Sequence, residues 1–385
     1  MDPKIEMETP KPEIEWNNKV RLVVADVDET IADLFVPASP AMAAELNGLL
    51  DEGKSLFLVS GAGFPSIKRR VVDLIRPELR KKVLVSHCSG AEVRGFDEEG
   101  NELGQPYYSM YDQTLNPEQK DKWRQIVKQV TDEFHLEPHP TMPLKQFKEE
   151  FGDNPLAVML EDRGPQITFE FVNAYNLTIE QIEALKSHFP DFDVTDLRIP
   201  VMARIGQLLE EAGVPVTPRF GGMFALDLAI KGVSKTTSVK FALENNEVLS
   251  HLGLKPEDIQ DPETIEIWGD KFSVTNGGTD RHMSEALPRA VRSIDFRQED
   301  PEEFMPGYNT VVWQGDQQLQ DGLLQYLQSR HNISSRVAKT NLEHFIPLRE
   351  SIDKYWDRSK FNYAVFSQAI LETNNQFQYN GMYRY

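Results

Sequence analysis

Residues 20–30 read Val20-Arg21-Leu22-Val23-Val24-Ala25-Asp26-Val27-Asp28-Glu29-Thr30. A Val-rich apolar run of strand length stops abruptly at two aspartates spaced i, i+2. A run without alternation is what a strand buried on both faces requires, as in a parallel sheet covered by helices. The pattern recurs at residues 54–61 (KSLFLVSG) and again at 82–93 (KVLVSHCSGAEV). Between these runs lie two helical stretches. The first has Ser39 as N-cap, Pro40 at the first helical position and Gly53 beyond the end. The second is Phe64-Pro65-Ser66-Ile67-Lys68-Arg69-Arg70 and the apolar residues after it, with the basic cluster read as a solvated helix face. This β-α-β-α-β order predicts an α/β fold, a doubly wound, mostly parallel, Rossmann-like core sheet.

The pattern changes after about Gly95. Helical stretches are expected near Pro117–Phe134, Ile179–His188 and Val201–Ala212, separated by strand-like pieces at 156–162 (LAVMLED) and 165–174 (PQITFEFVNA). The second piece alternates apolar and polar residues, which predicts a half-exposed antiparallel strand. The parallel-sheet signature returns at 264–270 (TIEIWGD), preceded by a helix over 234–245. The expected organisation is therefore a solvated tail at 1–17, a core domain split into 18–94 and 230–300, an inserted α+β cap at 95–229, and a C-terminal extension of unassigned role at 301–385.

Net charge and composition narrow the function. A formal charge of −20 argues against nucleic acid and anionic membranes as partners, because both are bound through excess Lys and Arg. It leaves room for a small anionic substrate beside a metal ion. The single cysteine, Cys88, allows no intrachain disulfide and no thiolate metal site, and reads as core filling. With no signal-peptide pattern and no apolar run of membrane-spanning length, a cytoplasmic protein is the expectation. A homodimer is left open. His135 and His139 have the spacing of a metal pair, but Pro138 and Pro140 interrupt any helix there.

In open α/β sheets, ligands sit beyond the carboxyl ends of the strands, where the pattern puts Asp26 and Asp28. Two carboxylates facing one point repel, and Mg²⁺, with its preference for oxygen ligands, is the natural ion between them. The bland reading of an isolated D-x-D is that Asp28 caps a turn. Other strand ends shift the balance. Ser60-Gly61 ends the second run with a hydroxyl and free N–H groups suited to phosphate oxygens. Asp270 ends the returning strand, Asp280 follows it, and Lys235 stands where a helix begins.

These residues resemble the motifs of the haloacid dehalogenase superfamily of phosphatases and phosphomutases. Its D-x-D-x-T signature stands as Asp26 to Thr30, its second motif as Ser60, its third as Lys235, and its fourth as Asp270 with Asp280. The resemblance spans roughly residues 20–295, and the insert is similar to the large α/β caps of sugar phosphatases and eukaryotic-type phosphomannomutases. Glu29 stands where Gly is common in that family, Thr279 where Asn is usual, and the Asp270–Asp280 spacing is longer. The resemblance implies Asp26 as nucleophile, Asp28 as general acid and then base, and Ser60 and Lys235 holding the phosphoryl group. It implies Mg²⁺ bound by Asp26, Asp28 and Asp270, with Asp280 a further candidate. Candidate substrate contacts are Thr30, Gly61, Arg204, Arg219, Gly221 and Gly222. The implied activity is Mg²⁺-dependent hydrolysis of a sugar phosphate or a related phosphorylated metabolite. A phosphomannomutase-type phosphomutase and a catalytically silent binding protein are the alternatives.

Overall fold

The computed structural model describes residues 14–174, 177–186, 196–221 and 224–338. The chain divides into two compact units, Met1–Tyr326 and Leu327–Tyr385. Of the second, residues 327–338 are described and are helical.

The first unit contains two sheets. Strands β1 (Leu22–Ala25), β2 (Ser55–Val59) and β3 (Val83–His87) are followed by β4 (Glu92–Arg94) and β5 (Tyr108–Ser109). The insert contributes β6 (Glu137–His139), β7 (Ala157–Asp162), β8 (Gln166–Glu170), β9 (Val216–Gly221) and β10 (Ala225–Ile230). Then come β11 (Ile265–Gly269), β12 (Arg292–Asp295) and β13 (Thr310–Val312). The first sheet has the order β13-β12-β11-β1-β2-β3-β4-β5, and the second the order β6-β7-β8-β10-β9.

In the first sheet all pairings from β13 to β3 are parallel, and β4 and β5 add antiparallel to one edge. Every residue of β1, β2, β3 and β11 is buried, as unbroken apolar runs predict. Strand order runs outward from β1 to β3 on one side and from β11 to β13 on the other. The reversal lies between β1 and β11, whose carboxyl ends carry Asp26 and Asp270. That is the position where open α/β sheets bind ligands.

Local signals act as expected in the helices. Ser39 caps Pro40–Asp51 by accepting from Met42 N, and Asn116 and Gln119 form a capping box at the start of Pro117–Glu133. The second expected helix is shorter. It spans Phe64–Arg70 and breaks at Val71, where φ is −130°.

Sheet membership moves two expected boundaries. β5 belongs to the first sheet, so residues to Ser109 build the core rather than the insert. β13 pairs with β12, and Trp313, Leu323 and Tyr326 are buried, so the start of the expected extension also completes the core. At the other end Trp16 is buried against Trp268 and Tyr326, so the tail expected to be solvated packs at its last residues; residues 1–13 lie outside the described part.

The second sheet carries the insert's core on one face. Ile167, Phe169, Leu226 and Leu228 pack there with Trp123, Ile126 and Val130 of the first helix and Val201, Ile205 and Leu209 of helix Arg198–Glu211. β8 is antiparallel to its neighbours, as its alternation predicts, but all five residues are buried rather than half-exposed. Its polar face is covered too. No helix among the described residues is long and apolar enough to cross a membrane.

Candidate active site

Asp26 follows β1 directly, and its N–H continues the ladder by donating to Trp268 O. Its carboxylate Oδ1 accepts from Lys235 Nζ at 2.6 Å. Lys235 opens the helix Lys235–Glu244, which Ser234 caps by accepting from Thr237 N. The helix start sits hard against the turn after β3. A Cβ on Gly90 would stand 2.2 Å from Ser234 O, and Gly90 has φ +102°, so only glycine fits there.

Lys235 Nζ also donates to Asp280 Oδ1 at 2.7 Å. The other oxygen of Asp280 accepts from the N–H groups of Asp270 (2.9 Å) and Lys271 (3.0 Å). Both oxygens of Asp280 are thus engaged in shaping the site. The long spacing is accommodated by a closed excursion: Asp280 N donates back to Lys271 O, and Gly278 N to Ser273 O. Glu299 and Glu303 hold that loop from outside, through Phe272 N, Ser273 N and Asn276 Nδ2.

One oxygen each of Asp26, Asp270 and Asp280 lies within 4.8 Å of the others, and all three residues are buried. Burial raises the Asp26 carboxyl well above its usual range; Lys235 opposes this, and the neighbouring acids reinforce it. Burial and Asp280 push Asp270 up to about 6, against Lys271 and Arg297. Asp280 is held low despite burial by Lys235 and the N–H of Asp270. Lys235 is buried, but the two aspartates outweigh that and keep its ammonium firmly charged. Lys235 offsets Asp26 and Asp280, and Lys271 and Arg297 offset Asp270, while one oxygen of each acid still converges on the same point. An all-oxygen set suits a hard ion such as Mg²⁺, so the residues fit the expected metal.

Asp28 is held from two sides. Ser60 Oγ donates to Asp28 Oδ2 (3.1 Å), and Arg70 Nη1 donates to Oδ1 (2.7 Å). Arg70 is 1% exposed, so the basic cluster read as a solvated face contributes one fully buried guanidinium. It also donates to Asp33 O (2.7 Å) and Val36 O (3.0 Å), fixing the loop after the aspartates. The i, i+3, i+6 series Phe64, Ile67, Arg70 is the buried stripe of its helix. That spacing was the available signal for Arg70.

Glu29 adopts φ +61°, where a side chain is unfavourable and Gly would be easy. Its carboxylate is held by Lys271 at 3.1 Å and by Arg297. Arg297 also donates to Asp270 Oδ2 and, at 3.0 Å, to Asp270 O. Lys271, Arg297 and Glu29 thus brace the side of Asp270 away from Thr30.

The expected substrate contacts divide. Thr30 is fully buried and donates to Asp270 Oδ1 (3.3 Å), so it supports the carboxylate instead of facing a ligand. Ser60 is also fully buried; besides donating to Asp28, its hydroxyl accepts from Ala62 N. Gly61 offers its carbonyl to Arg163 Nη1 at 3.0 Å, a contact between the first sheet's loop and the insert. Arg204 pairs with Glu133 on the helical side of the insert and is not brought to the site. Arg219 is half-buried on β9, directly across from Asp227 of β10. Gly221 makes room for that aspartate, since a Cβ there would stand 2.3 Å from Asp227 Oδ2. Gly222 lies outside the described residues.

Comparison with protein-family models gives no match, nor does comparison with curated proteins. Among solved structures, the chain is similar to a haloacid dehalogenase-like hydrolase from Bacteroides thetaiotaomicron (14% identity, 80% of this chain and 98% of that one, TM-score 0.48). It is also similar to the trehalose-6-phosphate phosphatase C-terminal domain of C. albicans (13%, 80% and 92%, TM-score 0.46). A third likeness is to the IMP-nucleotidase of Plasmodium falciparum (13%, 80% and 68%, TM-score 0.41). At such identities and scores the likeness says nothing about this chain's chemistry.

Proposed function

We propose that this protein is a phosphohydrolase that cleaves a phosphate monoester through a phosphoaspartyl intermediate on Asp26. The observation that carries this reading is the buried array of Asp26, Asp270 and Asp280 around Lys235, at the strand-order reversal of a parallel sheet. A bare carboxylate is a poor nucleophile toward a phosphate dianion unless the mutual repulsion is screened. Mg²⁺, held by Asp26, the main-chain carbonyl of Asp28 and Asp270, would supply that screening and align the phosphate.

The chain's own residues do the rest. An Asp26 oxygen attacks phosphorus in line; the P–O bond to the alcohol breaks, and the phosphoryl group passes to Asp26. Asp28, oriented by Arg70 and Ser60, gives its proton to the departing oxygen. It then takes a proton from the water that attacks the phosphoaspartate, which returns Asp26 and releases phosphate. Lys235 keeps Asp26 fixed and screens charge beside it.

The substrate class we propose is a sugar phosphate or a related small phosphorylated metabolite. Hydrolysis is favoured over phosphomutase chemistry by the insert's limited cationic equipment. A mutase must hold a second phosphate, whereas Arg163 is committed to Glu161 and Gly61, and Arg204 to Glu133. The test is phosphate release from sugar phosphates and an aryl phosphate, with and without Mg²⁺, beside Asp26→Asn and Asp28→Asn. Mg²⁺-dependent release lost in Asp26→Asn is the expected result. No release from any ester, together with interconversion of a sugar 1- and 6-phosphate after priming with a bisphosphate, would replace hydrolysis by mutase chemistry. Silence in both assays would leave a binding protein.

A further inference from the structure

β8 presents Gln166, Thr168 and Glu170 on one face, and Asp227 of β10 lies in register with Thr168 on that same face. This face is polar and yet buried. Gln166 Nε2 donates to Asp227 Oδ1 (2.9 Å) and Thr168 Oγ1 (3.0 Å), and Thr168 Oγ1 donates to Asp227 Oδ1 (2.8 Å). Gln166 and Arg163 also reach Gly61 O, in the loop after β2, so the face turns toward the nucleophile's end of the first sheet. Glu170 differs from its neighbours. It is 6% exposed, and its carboxyl makes no hydrogen bond or ion pair to any described residue.

A buried carboxyl without a partner is costly, and native interiors rarely keep one. The charges acting on Glu170 include Arg163, Asp227, Glu161 and, from the first sheet, Asp28. Glu170 therefore stands near the acid assigned to the leaving group. Burial pushes its carboxyl up to about 8. On the same face Gln166 Oε1 is buried and has no donor. Gln166 Oε1 can only accept, and the Glu170 carboxyl keeps an acceptor oxygen in either protonation state, so a donor would satisfy both.

We propose that Glu170 recognises the alcohol portion of the substrate by hydrogen bonding to its hydroxyl or ammonium groups. This deepens the phosphohydrolase reading and rests on it. Hydroxyl and ammonium share the donor chemistry that the face lacks. An anionic leaving group would meet Glu161, Glu170 and Asp227, with Arg163 already engaged; Arg219 lies on the neighbouring edge strand.

The test uses the full chain with Mg²⁺ and compares kcat/KM for glucose 6-phosphate, glucosamine 6-phosphate and the donor-free cyclohexylmethyl phosphate. Wild type should prefer the two sugars to the donor-free ester by about 10–100-fold, mostly through KM. Glu170→Leu should bring that ratio close to one, while Glu170→Gln, which keeps an acceptor, should retain much of the preference for glucose 6-phosphate. A preference for glucosamine over glucose that disappears in Glu170→Gln would identify the ammonium as the group read. An unchanged sugar-to-cyclohexylmethyl ratio in Glu170→Leu overturns the proposal. Should no ester, including an aryl phosphate, be hydrolysed, the phosphohydrolase reading fails on its own. Calorimetric titration of glucose 6-phosphate into wild type and Glu170→Leu then still decides the subsite, and equal affinities would overturn it.

Discussion

Replacing Glu170 with Gln should stabilise the protein by an amount that grows with pH. The sign follows from the direction of its shift. The folded-state pKa, about 8, lies above the ordinary carboxylate value of 4.5, so the folded chain keeps a proton that the unfolded chain releases. Below about pH 4 both states are protonated and the folded state bears no penalty. As pH rises toward 8 the unfolded state gains by ionising and the folded state does not, so stability falls. At ~1.36 kcal/mol for each pH unit above the unfolded value, the penalty near pH 7 is roughly 3 kcal/mol. Above the folded value it stops growing. Gln resembles the protonated acid in shape and cannot ionise, so it removes the penalty.

An unfolding entropy of ~2.1 cal/mol/K per residue makes 3 kcal/mol worth about 4–5 °C in a unit of this length. Thermal melts of wild type and Glu170→Gln from pH 4.5 to 8.5 measure this directly. The variant should match wild type at the acid end and melt several degrees higher near pH 8. A difference in melting temperature that is flat across that range would refute a buried, unpartnered carboxyl at this position. The assay needs neither substrate nor metal.

Arg70→Met should lower stability by about 3 kcal/mol, the low end for breaking a buried ion pair, because Asp28 is partly solvated. The same change should slow an alkyl phosphate, which needs a proton donor, by about 10²-fold more than an aryl phosphate with a good leaving group; equal losses on both would mean that Arg70 does not position Asp28. Tyr326→Phe removes hydrogen bonds to the buried Glu266 (2.9 and 3.1 Å) and should cost about 1–3 kcal/mol in a denaturant titration while kcat stays unchanged. Mg²⁺ should raise the melting temperature of wild type but not of Asp270→Asn, and a chelator should abolish phosphate release; equal shifts in both proteins would remove Asp270 from the metal site.

Asp26, Lys235 and Asp270 could be picked out in the sequence because their positions follow from periodicity. Each stands where an apolar run or a capped helix begins or ends, and the ends of parallel strands converge. Arg70 could not be recognised in the same way. Its partner Asp28 lies on another element, and a run of three basic residues gives no reason for one to turn inward except the i, i+3, i+6 stripe. Glu170 marks a second limit. Alternation on β8 correctly separated two faces, but whether the polar one meets water or another sheet is decided by tertiary packing. The same holds for Trp16 and β13, which were read as tail and extension because a strand or ring at a sheet edge leaves little local signature. Asp280 shows the converse: its spacing from Asp270 is longer than in the family the sequence resembles, yet a loop closed by its own main-chain bonds returns it to Asp270.

The strand order also governs how the chain can be built. β1 pairs on one side with β2, which follows it closely, but on the other with β11, Leu22 lying opposite Ile265. The insert's sheet, by contrast, uses only residues 137–230, consecutive in the chain. During vectorial synthesis the strand that ends in Asp26 therefore waits with one edge open while the entire insert emerges. At ~5–20 residues per second that interval lasts on the order of tens of seconds. An apolar strand with an open edge is a template for wrong pairing, so the nascent protein passes through its most aggregation-prone stage with every strand of the insert's sheet synthesised and the first sheet still half-made.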